Sequence, residues 1–171
     1  MIKLVLALAL LLTSCAPAGQ MIKLPLLDNA WQIQTGAFPN PGDVSRAINT
    51  FYNHWLFEFG DPNDKVLNTL SSLMIEWREE PKIARARSIT GRLITGRVRG
   101  VALSRSYVWV WVGENRRISS TALVHELMHS ALWSVNGHPD IDHEGKEHKG
   151  WTAKHTEFIY KINYLLADRG L

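Results

Sequence analysis

The chain has 171 residues, of which 46% are hydrophobic and 20% charged, and its formal net charge is +3. That length suits one domain with a real core, and that charge gives only weak global steering towards a polyanion. No internal apolar run approaches the ~20 residues of a membrane-spanning helix, and a single cysteine, Cys15, excludes a disulfide within the chain.

The N-terminus reads as an export signal. Lys3 supplies a short positive start, Leu4 to Leu12 a short apolar run, and Leu12-Thr13-Ser14-Cys15 closes it. The closing tetrapeptide resembles the bacterial lipobox, whose cysteine is lipidated and becomes the mature N-terminus. The resemblance implies lipidation of Cys15 and anchoring in the bacterial cell envelope. Ala16 after it suits the outer membrane of a double-membraned bacterium. Met21-Ile22-Lys23-Leu24 repeats Met1-Ile2-Lys3-Leu4, so Met21 is an alternative start that would leave a cytoplasmic protein. The expected layout is a signal peptide over 1–14, a tether over 15–30 containing Pro17, Gly19 and Pro25, and one domain over 31–171.

Residues 31–42, with Gly36, Pro39, Pro41 and Gly42, read as a loop. Asp43 then caps a helix carrying Val44, Ala47, Ile48, Phe51, Tyr52, Trp55 and Phe59 at helical spacing, stopped by Gly60-Asp61-Pro62. A second helix is expected from Asn63 or Asp64 to Glu79, with Leu70, Leu73, Met74 and Trp77 inward and Pro81 ending it. His54, on the first helix, reads as a packing or surface residue rather than a ligand. From Lys82 to Arg117 the segment is basic, opposed only by Glu114, and β-branched stretches split by glycine suggest strands and turns. Such a face is ordinarily solvated; its functional alternative is a polymer or nucleic-acid surface. Ile89-Thr90-Gly91-Arg92 recurs as Ile94-Thr95-Gly96-Arg97, too short for a repeat architecture. Val101 to Val112 is the clearest strand region, with Tyr107, Trp109 and Trp111 alternating with Val108, Val110 and Val112. That aromatic strand either packs one face of a sheet or forms an edge to which an extended peptide adds.

His125-Glu126-Leu127-Met128-His129 follows, an H-E-x-x-H sequence. Ser119 or Ser120 can cap a helix there, Thr121 to Val135 contains no Gly or Pro, and Asn136-Gly137 offers a left-handed stop. Residues four apart share a helix face, so His125 and His129 can direct both imidazoles at one zinc ion. Glu126 beside them can accept a proton from metal-bound water.

Catalytic zinc generally takes a third protein ligand. His143 lies beyond a Pro-Asp turn that lets the chain fold back, with Asp142 placed to orient an imidazole. His155 is the alternative, in the first turn of a final helix capped by Thr152 and carrying Phe158, Ile159, Ile162, Leu165 and Leu166 inward. His138, His148, Asp140 and Glu144 rank below these two.

The metzincin pattern is not met, because Leu132 and Val135 stand where its Gly and third His belong. About residues 100–160 resemble, loosely, the SprT-like group of zincin metallopeptidases. There the H-E-x-x-H helix ends in an apolar, often Trp-containing stretch, and a third His follows roughly 13 to 15 positions on. Here Trp133 and Asp142-His143 occupy those places, while the group's Gly after the third His is replaced by Glu144. The resemblance implies a zincin-like fold, and with the elements read above the expected architecture is α+β: two N-terminal helices, a small mostly antiparallel sheet, the H-E-x-x-H helix and a C-terminal helix. The same resemblance implies a zinc-dependent peptidase acting on a peptide or protein substrate, with Glu126 as base; the membrane, reached through a lipid anchor, is what the lipobox resemblance implies. The alternatives are a non-catalytic zinc-binding lipoprotein and a basic module binding polymer or nucleic acid. An exported lipoprotein would rarely meet nucleic acid.

Overall fold

The computed structural model describes residues 19–87, 93–138 and 150–171. In chain order the elements are β1 (Gln20–Lys23), β2 (Trp31–Gln34), α1 (Pro41–Phe59), α2 (Lys65–Ser71), β3 (Met74–Arg78), β4 (Lys82–Arg87), β5 (Leu93–Val98), β6 (Gly100–Ser104), β7 (Tyr107–Trp111), α3 (Leu123–Asn136) and α4 (Ala153–Asp168). Five strands form one sheet in the order β1-β2-β3-β7-β6, and β4 and β5 form a separate antiparallel pair. The β2–β3 and β3–β7 pairs are parallel, whereas β1–β2 and β6–β7 are antiparallel. The fold is therefore α+β as expected, but its main sheet is mixed rather than mostly antiparallel.

The helices cover one face of this sheet. Ile75 and Trp77 of β3 and Val108 and Val110 of β7 turn towards them, beside Val44, Ile48 and Phe51 of α1, Leu127 and Met128 of α3, and Phe158 and Ile162 of α4. Removing this apolar surface from water is the main favourable contribution to folding. Helix α1 begins one turn earlier than Asp43: Asn40 is the cap, its Oδ1 accepting from the Gly42 N–H at 2.8 Å. Gly60 ends it at φ 74°.

Further expectations need correction, and one is the loop expected over 31–42, whose first residues, Trp31–Gln34, are the strand β2. The second helix stops at Ser71, because Met74–Arg78 is the strand β3. Leu70, Leu73, Met74 and Trp77 fit a helical period, yet Ile75 and Trp77 also alternate with Met74, Glu76 and Arg78, and pairing with β2 and β7 on both sides selects the strand. The end of the expected tether is part of the fold. Gln20–Lys23 pairs with β2, and Leu24 and Ala30 are fully buried, so the domain starts before residue 31. The aromatic strand β7 is not an edge, since β3 and β6 flank it; among the described strands the sheet ends in β1 on one side and β6 on the other. Residues 1–14, expected to be a signal peptide, Cys15, and Asp140, Asp142, His143, Glu144 and His148 lie outside the described residues.

Candidate metal centre and cleft

The α3 helix begins without a side-chain cap at its first position. Residues Ile118–Ser120 form a single 3-10 turn, and Thr121 Oγ1 accepts from the Leu123 N–H at 3.2 Å. The serines expected as caps are used elsewhere: Ser120 Oγ donates to the Arg117 carbonyl and Ser119 Oγ to that of Leu171. At the other end Gly137 adopts φ 75° and its N–H returns to the Trp133 carbonyl, the left-handed stop expected there.

On this helix His125 and His129 meet. Their Nε2 atoms are 3.1 Å apart and the ring centroids 4.8 Å apart. Two nitrogens bound to one tetrahedral zinc at ordinary Zn–N distances lie about 3.3 Å from each other. The pair thus fits a zinc ion with a few tenths of an ångström of adjustment, and neutral imidazole is a suitable donor. His129 is buried, and Trp151 lies against both rings, at 4.9 Å from His129 and 5.2 Å from His125.

Glu126 is 3% exposed. Burial pushes its carboxyl up from 4.5 to about 8, and the backbone N–H of Ala102, donating to it, opposes that shift. Gly100 in the same strand is what lets the carboxyl approach. A Cβ at Gly100 would stand 2.6 Å from Glu126 Oε1 and 2.8 Å from its Cγ. The strand β6, last on its side of the sheet among the described residues, therefore cradles the acid between sheet and helix. An isolated glycine in a strand pattern signals close approach of another group, so Gly100 was open to notice in the sequence; Ala102 carried no such sign.

His125 and Glu126 open onto a cleft of about 400 Å³, whose walls include Arg99, Gly100, Thr121, Ile159 and Asn163. Asn163 projects from α4, and its Oδ1 is buried with no hydrogen-bond partner among the described residues. A larger hollow of about 610 Å³ is lined, among the described residues, by Lys23 to Asp28 and by none of these groups.

Among the described residues no third donor joins His125 and His129. No set of three His, Cys, Asp or Glu side chains suited to a metal gathers among the described residues. His155 is fixed in the first turn of α4, where its Nδ1 accepts from the Thr152 N–H at 2.9 Å and its ring stacks on Phe59 at 4.6 Å. His138, just past the α3 stop, is exposed. No protein-family model, curated protein or solved structure matches the chain.

Proposed function

We propose that this protein is a zinc-dependent peptidase, zincin-like in its H-E-x-x-H helix, that acts in the bacterial envelope under a lipid anchor on Cys15. The observation that carries the reading is that His125, whose nitrogen faces that of His129, and the buried Glu126 carboxyl line one cleft, beside the strand that ends the sheet among the described residues. His125 and His129 would hold the zinc, with a third donor that the reading assigns first to His143. When bound, zinc supplies Lewis acidity, which makes a water easier to deprotonate and polarises a carbonyl.

Glu126 takes the proton from the attacking water at its carboxylate and passes it to the departing amine nitrogen. The dry surroundings that raise its affinity for a proton suit both steps, and a nearby cation restores the ionised form needed to begin. Ala102 N–H and Gly100 hold the carboxyl while it does so. β6 is the outermost strand of its side of the sheet among the described residues, and main-chain groups other than the Ala102 N–H, which Glu126 uses, can pair with an extended peptide. Asn163 Oδ1, buried and without a hydrogen-bond partner among the described residues, belongs to a side chain lining the same cleft and can accept from an amide N–H of that peptide.

The test is a pair of measurements on one set of preparations. Wild-type protein should carry close to one zinc per chain and cleave an unfolded protein substrate. Glu126→Gln should keep the zinc and lose at least ~100-fold in rate, the usual span for a lost general base. Undiminished cleavage by a clean Glu126→Gln preparation would sink the mechanism; a wild type that folds but takes up no zinc would sink the metal site.

A further inference from the structure

Trp151 is 2% exposed and lies between two parts of the fold. On one side its ring meets both His129 and His125, at 4.9 and 5.2 Å, with interplanar angles of 44° and 47°. On the other, its Nε1 donates to Thr156 Oγ1 at 2.9 Å, in the first turn of α4. The next residue, Thr152, caps that helix and is itself tied to His155. The indole is thus held by α4 and pressed against imidazoles on α3.

We infer that Trp151 is a positioning residue for the metal centre, fixing the rotamers of His125 and His129 so that the two nitrogens are preset for one divalent ion. This rests on the zinc reading above. Two physical effects support it. An imidazole free to rotate loses side-chain entropy when it binds a metal, whereas one already packed does not. Coordination also draws positive charge onto both rings, and the negative face of an indole within about 6 Å stabilises positive charge. Neither effect requires Trp151 to touch the metal or substrate. Through Thr156 the start of α4 becomes part of the ligand support, although it contributes no ligand of its own among the described residues.

The test uses the full chain in detergent, with zinc alone as the probe and a competing chelator to read the dissociation constant. Trp151→Leu keeps much of the volume and removes the ring; Trp151→Phe keeps an aromatic face; Thr156→Val removes the hydrogen bond that holds the indole. Trp151→Leu should weaken zinc binding tenfold or more, about the span seen when support around a ligand is lost, with Trp151→Phe recovering most of it. Thr156→Val should weaken binding by about fivefold, the equivalent of one hydrogen bond. Cobalt(II) supplies an independent readout. Its visible absorption bands should shift in Trp151→Leu and return in Trp151→Phe, which a mere drop in melting temperature would not produce. Zinc affinity and cobalt bands equal to wild type in both Trp151→Leu and Thr156→Val overturn the inference while leaving the zinc reading intact. If Trp151→Leu does not fold, Thr156→Val decides. Failure of the wild type itself to bind zinc removes the zinc reading and this inference with it.

Discussion

A carboxyl as buried as Glu126 makes the stability of the metal-free protein depend on pH. Its proton is released near pH 4.5 in the unfolded chain and near 8 in the folded one. Between those values the folded state binds the proton and the unfolded state does not, so stability falls as pH rises. The contribution is fully present below about pH 4.5 and gone once pH has passed through about 8. At about 1.4 kcal/mol per unit of separation, the effect amounts to a few kcal/mol. Glu126→Gln has no proton to lose. Urea unfolding in the presence of a chelator should therefore show wild-type stability declining across that window relative to Glu126→Gln. Parallel curves for the two proteins would mean that the carboxyl is solvated or already ionised in the folded state.

Two elements make the site: α3 supplies the acid and both nitrogens, and the edge strand β6 closes on the acid from the sheet. The closeness of Gly100 to Glu126 predicts a coupling that can be measured. Gly100→Ala places a methyl group 2.6 Å from Glu126 Oε1, and the buried carboxyl cannot retreat without losing the Ala102 N–H. The cost should be about 1–3 kcal/mol, the usual range for overpacking. In a Glu126→Ala background the obstructing atoms are gone, and the same substitution should cost close to nothing. Denaturant midpoints for the four proteins of that cycle give the coupling directly; additive effects would show that the strand and the acid do not press on one another. The helices that carry this chemistry were legible in the sequence because their evidence is local: apolar spacing in α1, α3 and α4, Gly60 and Gly137 as stops, Thr152 ahead of α4. Among the strands, β7 was legible from its alternation and β6 from the same stretch, but β1, β2 and β3 were not. β3 satisfies a helical spacing as well as an alternating one, and only its neighbours β2 and β7 decide between them. β1 is recognisable solely by its pairing with β2. The place of β6 at the edge, and with it the cradle for Glu126, is a property of strand order, which no single stretch of sequence contains.

At the scale of the whole molecule, the inclusion of β1 in the sheet changes how the anchor would act. If Cys15 carries lipid, only residues 16–19 separate it from the start of β1 at Gln20. Four extended residues span at most about 14 Å. The domain would then rest against the bilayer surface rather than swing on a long tether, and its substrates would be chains presented close to that surface. Among the described residues no helix is long and apolar enough to cross a membrane, so attachment in this reading depends on the acyl chains. A single chain holds a protein only marginally, whereas more than one gives stable anchoring. Expressed from Met1 in a bacterium, the protein should sediment with membranes and dissolve in detergent, and its intact mass should exceed that of the chain beginning at Cys15 by the mass of the acyl groups. Cys15→Ser should leave the membrane fraction while retaining the zinc of the folded domain, because β1 and everything after it is unchanged. A wild-type product that begins at Met21, with no added mass, would exclude the anchor. That product would still contain most of β1, whose residues Met21, Ile22 and Lys23 pair with Ile33, Gln32 and Trp31, so the same zinc measurement would separate the question of address from the question of chemistry.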